Sequence, residues 1–213
     1  MKLLELFAGT GSIGKVAHIL GMEVTSLDKD MQADIRIDIM NWDYKADFEP
    51  NHFDIVWASP PCTEYSKAQT NGHRDLAGAN EVVKRTLEII NYLKPTFWII
   101  ENPQTGLLKE QSFMEGIPYN DVDYCMYGLL YRKRTRLWNN IEDWTPRPLC
   151  TKNCENMSED RKRHLRRAQR GSAPGYTKNS HRLTELYVVP EHLVRDILVH
   201  IMSININDVN YFV

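Results

Sequence analysis

"KLLELFAGTGSIGKVAHILG", residues 2–21, joins an apolar run to a cluster of glycines and then to apolar residues at helical spacing. It reads as a buried strand through Phe7, a glycine turn, and a helix from about Ser12 that closes at Gly21. Strand, turn and helix in that order open an α/β unit, whose sheet has to be covered on both faces. The spacing Gly9-x-Gly11-x-x-Gly14 lets a ligand approach the backbone closely. Asp28, closing the next short strand "EVTSLD", is placed to accept hydrogen bonds from a ribose diol. These residues alone suit a dinucleotide or another adenosine-containing cofactor, so a nucleotide-dependent oxidoreductase stays open at this point.

The pattern continues along the chain. "ADIRIDI" is expected as a third strand, and "HFDIVWAS" as a fourth that stops at Pro60 and Pro61. Val83, Leu87 and Ile90 recur at helical spacing between Ala79 and Lys94, where Pro95 ends the helix. "TFWIIEN" follows as a fifth strand, and "YCMYG" is expected to pair with "RTRLWNN" as a hairpin. Pro190 suits the first turn of a last helix carrying Leu193, Val194, Ile197, Leu198 and Ile201 on one face. The expected fold is α/β: a doubly wound, mainly parallel, Rossmann-like sheet with a small irregular insert. In such sheets ligands lie beyond the carboxyl ends of the strands, which directs attention to Gly9 to Gly14, Asp28, Cys62, and Glu101 with Asn102.

At 213 residues the chain is long enough for one catalytic domain with at most a small appendage. The expected division is a cofactor-binding domain over 1–140 and 181–213, with a short basic insert over 141–180. No apolar run approaches the roughly 20 residues that cross a bilayer, and no signal peptide is visible, so an intracellular, cytoplasmic protein without membrane contact is expected. Four cysteines are too few for a disulfide scaffold; in a reducing compartment each is a core filler, a metal ligand or a nucleophile. The formal net charge of −2 hides a strong asymmetry, since Tyr131 to Arg182 holds 14 Lys/Arg against 5 Asp/Glu. A basic stretch of that kind is the footprint of a phosphate backbone, or else a solvated loop.

Cys62 follows "SPP", a stiff extended segment at the edge of the crevice, and is a candidate nucleophile if its surroundings lower its pKa. Glu101 in "IIENP" closes a neighbouring strand, where a partly desolvated carboxyl can donate a proton or hold a substrate edge. Singly, each has a plain structural reading, as a small core residue and a helix cap. At adjacent strand ends they form a site.

With these residues in view the chain resembles the cytosine-5 DNA methyltransferases. "FAGTGS" is similar to their cofactor loop, "SPPC" to their nucleophile motif, "ENP" to their Glu-Asn-Val, and "RTRL" to their Arg-x-Arg motif. "RLTELYVVPEHLVRDIL" resembles their closing motifs, and Tyr65 and Ser66 fall where the family places an aromatic residue and a serine. The resemblance implies S-adenosylmethionine as cofactor and double-stranded DNA as partner, with the target base flipped out and the enzyme acting as a monomer. It implies Cys62 as the nucleophile toward cytosine C6 and Glu101 as the group holding the N3 and amino edge. Arg134 and Arg136 would orient the base through O2, although "YRKRTR" also reads as a solvated basic turn. Phe7, Ala8, Gly9, Thr10 and Gly11 would line the cofactor pocket together with Pro60, Asp28 would bind the ribose, and Asp38 with Ile39 would contact adenine. The loop from Thr63 to Gly78, with Gly72, would close over the base. RNA as substrate and a catalytically silent DNA-binding homologue are the alternatives within this resemblance.

The chain departs from the family pattern at Thr63, where glutamine is common, and at Pro103, where valine is usual. Only about 45 residues separate "RTRL" from "RLTEL", where the family carries a long target recognition domain. A short, loosely specific element of this size fits a self-protecting phage or viral enzyme, or a restriction-modification partner. The same stretch holds Cys150, Cys154 and His164, which with Cys125 could complete a Cys3His zinc site; unrelated surface thiols are the other reading.

Overall fold

The computed structural model describes residues 1–68, 73–168 and 186–209. Strands β1 (Lys2–Leu6), β2 (Glu23–Leu27), β3 (Ile55–Ala58) and β4 (Phe97–Pro103) run parallel in the spatial order β2-β1-β3-β4. Further along the chain come β5 (Tyr119–Asp123), β6 (Tyr131–Arg132) and β7 (Arg134–Asn139). β7 joins β4 antiparallel, and β5 adds to the outer edge of β7, again antiparallel. A six-stranded mixed sheet results, parallel through the half that carries the glycine turn. A separate two-stranded ladder pairs β6 with β8 (Arg166–Arg167).

Helices α1 (Ser12–Ile19), α2 (Tyr44–Asp47), α3 (Leu76–Leu93) and α4 (Glu191–Val209) surround this sheet. The strand alternation sorts the core into two layers. Leu3, Ile55, Trp57 and Ile99 pack with Ile13, Val16 and Ala17 of α1 and with Leu193, Val194, Ile197 and Leu198 of α4. Leu4, Leu6, Val56, Ala58 and Ile100 point the other way, against Val83, Ile89, Ile90 and Leu93 of α3. Each fully buried Leu or Ile contributes about 1.5–3 kcal/mol by leaving water, which explains why the parallel strands read as unbroken apolar runs. α3 starts where Asp75 accepts the Gly78 amide at 2.8 Å and ends at Lys94, left-handed at φ 48, ahead of Pro95. No helix among the described residues is long and apolar enough to cross a membrane.

Two expected elements are absent. "ADIRIDI" forms no strand: among the described residues its ladder pairing is limited to the isolated bridge between Leu27 and Ile35. Asp34 instead takes the Ser26 amide at 2.8 Å and the Ser26 hydroxyl at 2.6 Å, so the segment straps across the edge of β2 rather than extending the sheet. "YCMYG" does not pair with "RTRLWNN" either. Tyr124–Tyr127 is a 3-10 turn closed by Gly128 at φ 96, and the partner of β7 is the more polar "YNDVD". Carboxylates disguise that strand, because Asp121 and Asp123 are tolerated only where Arg136 and Arg134 stand opposite them. The closing "RLTE" and Gly72 lie outside the described residues, as does the expected domain boundary at 181.

Candidate active site

Parallel register brings four carboxyl ends to one edge: Leu6 lies beside both Leu27 and Ala58, and Ala58 beside Ile100. The segments that leave these ends therefore converge, as the doubly wound arrangement requires.

On the β1 side the turn is built from left-handed residues, with φ of 61 at Phe7, 54 at Gly9 and 68 at Gly11. A non-glycine residue there, Phe7, is a conformation that costs free energy and recurs at ligand sites. Asp28 braces the turn: Oδ2 accepts the Gly9 amide at 2.9 Å, while Oδ1 accepts the Asp30 and Met31 amides at 2.8 and 2.9 Å. A Cβ on Gly11 would meet nothing within 4 Å, so the backbone there faces open space. Thr10 and Ser12 share a 2.9 Å hydroxyl contact at the entrance to α1, and Ala8 is buried beneath. Ile39 is buried in the α3-side core, while Asp38 stays partly exposed 3.7 Å from Lys29.

Glu5, invisible to motif reading, supports this turn from below. It is only 4% exposed and its carboxylate accepts the Ile13 and Gly14 amides at the first turn of α1. Burial is the main cause that raises its pKa from 4.5 to about 7, against the lowering effect of those two amides. The third glycine of the turn is explained by the same contact, because a Cβ on Gly14 would lie 2.9 Å from Glu5 Oε2.

On the β3–β4 side, Asn102 donates through Nδ2 to the Pro60 carbonyl at 2.9 Å and fixes the path of the "SPPC" segment. Tyr65 is fully buried, and its hydroxyl donates to Asn80 Oδ1 at 2.9 Å; Arg74 donates to the Ser66 carbonyl at 2.8 Å. Both described flanks of the Thr63–Gly78 loop are thus anchored.

Cys62 is half-buried, and burial raises its thiol pKa; Lys133 opposes that rise and Glu101 adds to it. The surroundings therefore do not lower the thiol pKa as expected of an activated nucleophile: Lys133 pulls it down, but burial outweighs that pull. Glu101 is 6% exposed and accepts the Tyr124 hydroxyl at Oε1 at 2.8 Å, with Lys133 Nζ 3.6 Å from the same oxygen. The Lys133 ammonium also lies 5.0 Å from the centre of the Tyr124 ring and donates to the Leu186 carbonyl at 3.3 Å.

β7 decides which cation meets Glu101. Glu101 pairs with Leu137 and Asn102 with Arg136, so residues of odd number on β7 share the face of Glu101. Continuing that alternation past the strand end brings Lys133 to Glu101. Arg134 and Arg136 turn to the other face, where each forks through Nε and Nη2 onto Asp123 and Asp121 at 2.8–3.0 Å. Arg136 also stacks 3.4 Å from the centre of the Tyr119 ring. Both guanidiniums are held firmly as pairs with aspartate, on the face opposite Glu101. Tyr124 and Lys133 escape sequence reading because only strand register brings them in, β5–β7 for Tyr124 and β4–β7 for Lys133; Lys133 sits one residue before the arginine motif.

A second constellation lies nearby. The ligand atoms of Cys125, Cys150, Cys154 and His164 all fall within 4.8 Å of one another, with Cys150 Sγ 3.5 Å from His164 Nε2.

Residues 1–113 match the family model described as C-5 cytosine-specific DNA methylase. The chain belongs to that family. A Frog virus 3 (isolate Goorha) protein named "Probable DNA (cytosine-5)-methyltransferase" is 36% identical over 217 residues, covering 93% of this chain and 99% of the viral one. Among solved structures, a prophage-encoded E. coli protein assigned as a DNA modification methyltransferase superposes with a TM-score of 0.50 at 17% identity, over 70% of this chain and 52% of its own. The Dnmt2 methyltransferase of S. pombe gives a TM-score of 0.46 at 14% identity, over 68% and 51%. The chain spans about half the length of these two structures and nearly all of the viral relative. This C-5 cytosine methylase therefore has the α/β methyltransferase fold, with the glycine turn, Cys62 and Glu101 all inside the matched region.

Proposed function

We propose that this C-5 cytosine methylase transfers a methyl group from S-adenosylmethionine to C5 of a cytosine flipped out of double-stranded DNA, through a transient bond between Cys62 and C6. The observation that carries the reading is the meeting of Cys62, Glu101, Lys133 and Tyr124 beside the braced glycine turn.

Cytosine C5 is a weak nucleophile until its ring is activated. The Cys62 thiol gives its proton to solvent and the sulfur adds to C6, sending the C5–C6 π electrons toward C5. Burial disfavours the thiolate, so Lys133 supplies the compensating positive charge at the moment the sulfur becomes anionic. Glu101 holds the N3 and amino edge and stabilises the charge that develops on the ring. Tyr124 fixes the rotamer of Glu101 through its 2.8 Å hydrogen bond. C5 then bonds to the methyl carbon as the carbon–sulfur bond of the sulfonium breaks and S-adenosylhomocysteine is released; the C5 proton passes to water, the double bond re-forms and Cys62 departs as thiolate. Arg134 and Arg136, forked onto Asp123 and Asp121 on the Asn102 face, brace on this reading the β5–β7 pairing that carries Tyr124 rather than the base itself.

Bound S-adenosylmethionine supplies an electrophilic methyl group. The chain's residues fit it: open space beside the Gly11 backbone allows close approach of a nucleoside, and Asp28 offers an acid for hydroxyl donors. Flipping the base costs a few kcal/mol, which contacts to the phosphate backbone from the basic 141–180 insert offset.

The test is transfer of labelled methyl from S-adenosylmethionine to cytosine-containing duplex DNA, with base-resolved mapping of the product and Cys62→Ala as control. Label at cytosine C5 with wild type alone supports the reading. Label in RNA only would move the substrate, and label in neither polymer would overturn the proposal.

A further inference from the structure

Beside the sheet, the three cysteines not used in catalysis lie within one small volume. Cys125, Cys150 and Cys154 are 5%, 3% and 8% exposed, although they come from the turn after β5 and from a segment otherwise rich in charge. None is in a disulfide. Met157 and the partly buried Met126 are the other apolar side chains in this cluster, so residues 150–168 have little else to fold around. His164 enters opposite Met157 through an isolated antiparallel bridge, which turns its ring toward the sulfurs.

We propose that these four side chains hold one structural zinc ion, a Cys3His site that clamps the insert to the catalytic sheet. The geometry fits the metal. A tetrahedron with ordinary zinc–sulfur and zinc–nitrogen lengths has edges of about 3.5–3.8 Å. The Cys150–His164 pair is 3.5 Å apart and all four ligand atoms lie within 4.8 Å of one another, so a small contraction closes the shell. Backbone amides surround the sulfurs: those of Lys152 and Cys154 donate to Cys150, and that of Asn156 to Cys154. Amide-to-sulfur bonds of this kind hold a thiolate ready for a divalent ion. Without an ion, three thiols would face one another in a cluster that packs no better than a small hydrophobic patch.

The position of the clamp gives it a consequence. Cys125 directly follows Tyr124, which orients Glu101, and Asp123, which accepts both the Arg134 fork and the Cys150 amide at 2.9 Å. Asn156 reaches back to the Leu129 carbonyl at 3.0 Å. One ion would thus fasten the basic insert directly beside Tyr124, which holds the catalytic carboxylate.

The decisive experiment is metal analysis of the full chain purified from zinc-supplemented cells, with no activity readout involved. About one zinc per chain is expected, released by a thiol-modifying reagent and lost in Cys154→Ser. Cobalt substitution of the wild type is expected to give the intense visible absorption of a tetrahedral thiolate site, which keeps the proposal testable if the serine variant does not fold. Less than half an equivalent of zinc, or a Cys150–Cys154 disulfide in protein kept under reductant, overturns it. Either result leaves the methyl-transfer reading to its own assay.

Discussion

The hydroxyl of Tyr124 donates a 2.8 Å hydrogen bond to Oε1 of Glu101, and both groups are buried. One of these residues comes from the end of a parallel strand, the other from the turn after the outermost strand of the sheet. The bond therefore ties the catalytic edge to the antiparallel half of the molecule. Tyr124→Phe keeps the ring and removes the bond. A buried hydrogen bond to a charged group is worth about 1.5–3 kcal/mol. If it is realised in the transition state, kcat falls roughly 10- to 100-fold while the cofactor's Kd stays unchanged. Single-turnover methylation with parallel cofactor titration measures both, and an unaltered kcat would refute the positioning role.

Lys133 and Glu101 act on Cys62 with opposite signs. Lys133→Met removes the charge that holds the thiol down, so the pH at which Cys62 becomes reactive should move upward. Glu101→Gln removes a negative neighbour and should move it downward. Iodoacetamide labelling across pH, followed on the Cys62 peptide by mass spectrometry, reads this thiol apart from the other three. Shifts of the same sign in the two variants would contradict the geometry.

Much of this site is visible in the sequence because it is local. "FAGTGS", "SPPC" and "ENP" each hold their functional residues within a few positions of a strand end, and strand ends are recognisable from apolar runs and the breakers that follow. Lys133 and Tyr124 are different. Their places beside Glu101 depend on the pairing of β7 with β4 for Lys133 and with β5 for Tyr124, and β5 is the strand hardest to recognise, since its Asp121 and Asp123 make "YNDVD" look like a loop. The same physics accounts for the misplaced "ADIRIDI" strand: its alternation is genuine, but side-chain bonds from Asp34 to Ser26 replace the ladder that alternation alone would predict. Glu5 is concealed for the opposite reason. An acid inside an apolar strand looks like an outward-facing residue until the helix start above it supplies two amides.

Glu5 makes stability depend on pH in a definite direction. Its carboxyl is raised from 4.5 to about 7 in the native state, so the fold holds the proton more tightly than the unfolded chain does. That contribution is complete below about 4.5 and is lost as pH rises through about 7. Glu5→Gln abolishes the slope. Between the two ends of this window the variant should gain on the order of 1–3 kcal/mol relative to wild type. Urea unfolding at several pH values checks it; parallel wild-type and variant profiles would mean that Glu5 titrates normally.

Asn102→Ala releases the Pro60 carbonyl from its 2.9 Å hydrogen bond and leaves that carbonyl without the Nδ2 donor. The expected loss is about 1–3 kcal/mol of stability, with a kcat decrease at least as large as that of Tyr124→Phe because the path of the Cys62 backbone is loosened. Thermal melts and initial rates separate the two effects. A variant that is destabilised yet fully active would show that Asn102 serves the fold alone.

The central claim is that the sulfur of Cys62 bonds to the cytosine ring. A duplex carrying 5-fluorocytosine tests it directly, because fluorine at C5 cannot leave as the proton does and the intermediate is trapped. With S-adenosylmethionine present, wild type should form a denaturant-resistant protein–DNA adduct whose cross-linked peptide contains Cys62, and Cys62→Ser should form none. An active wild-type preparation that leaves no adduct, or an adduct mapped to another residue, would contradict the account.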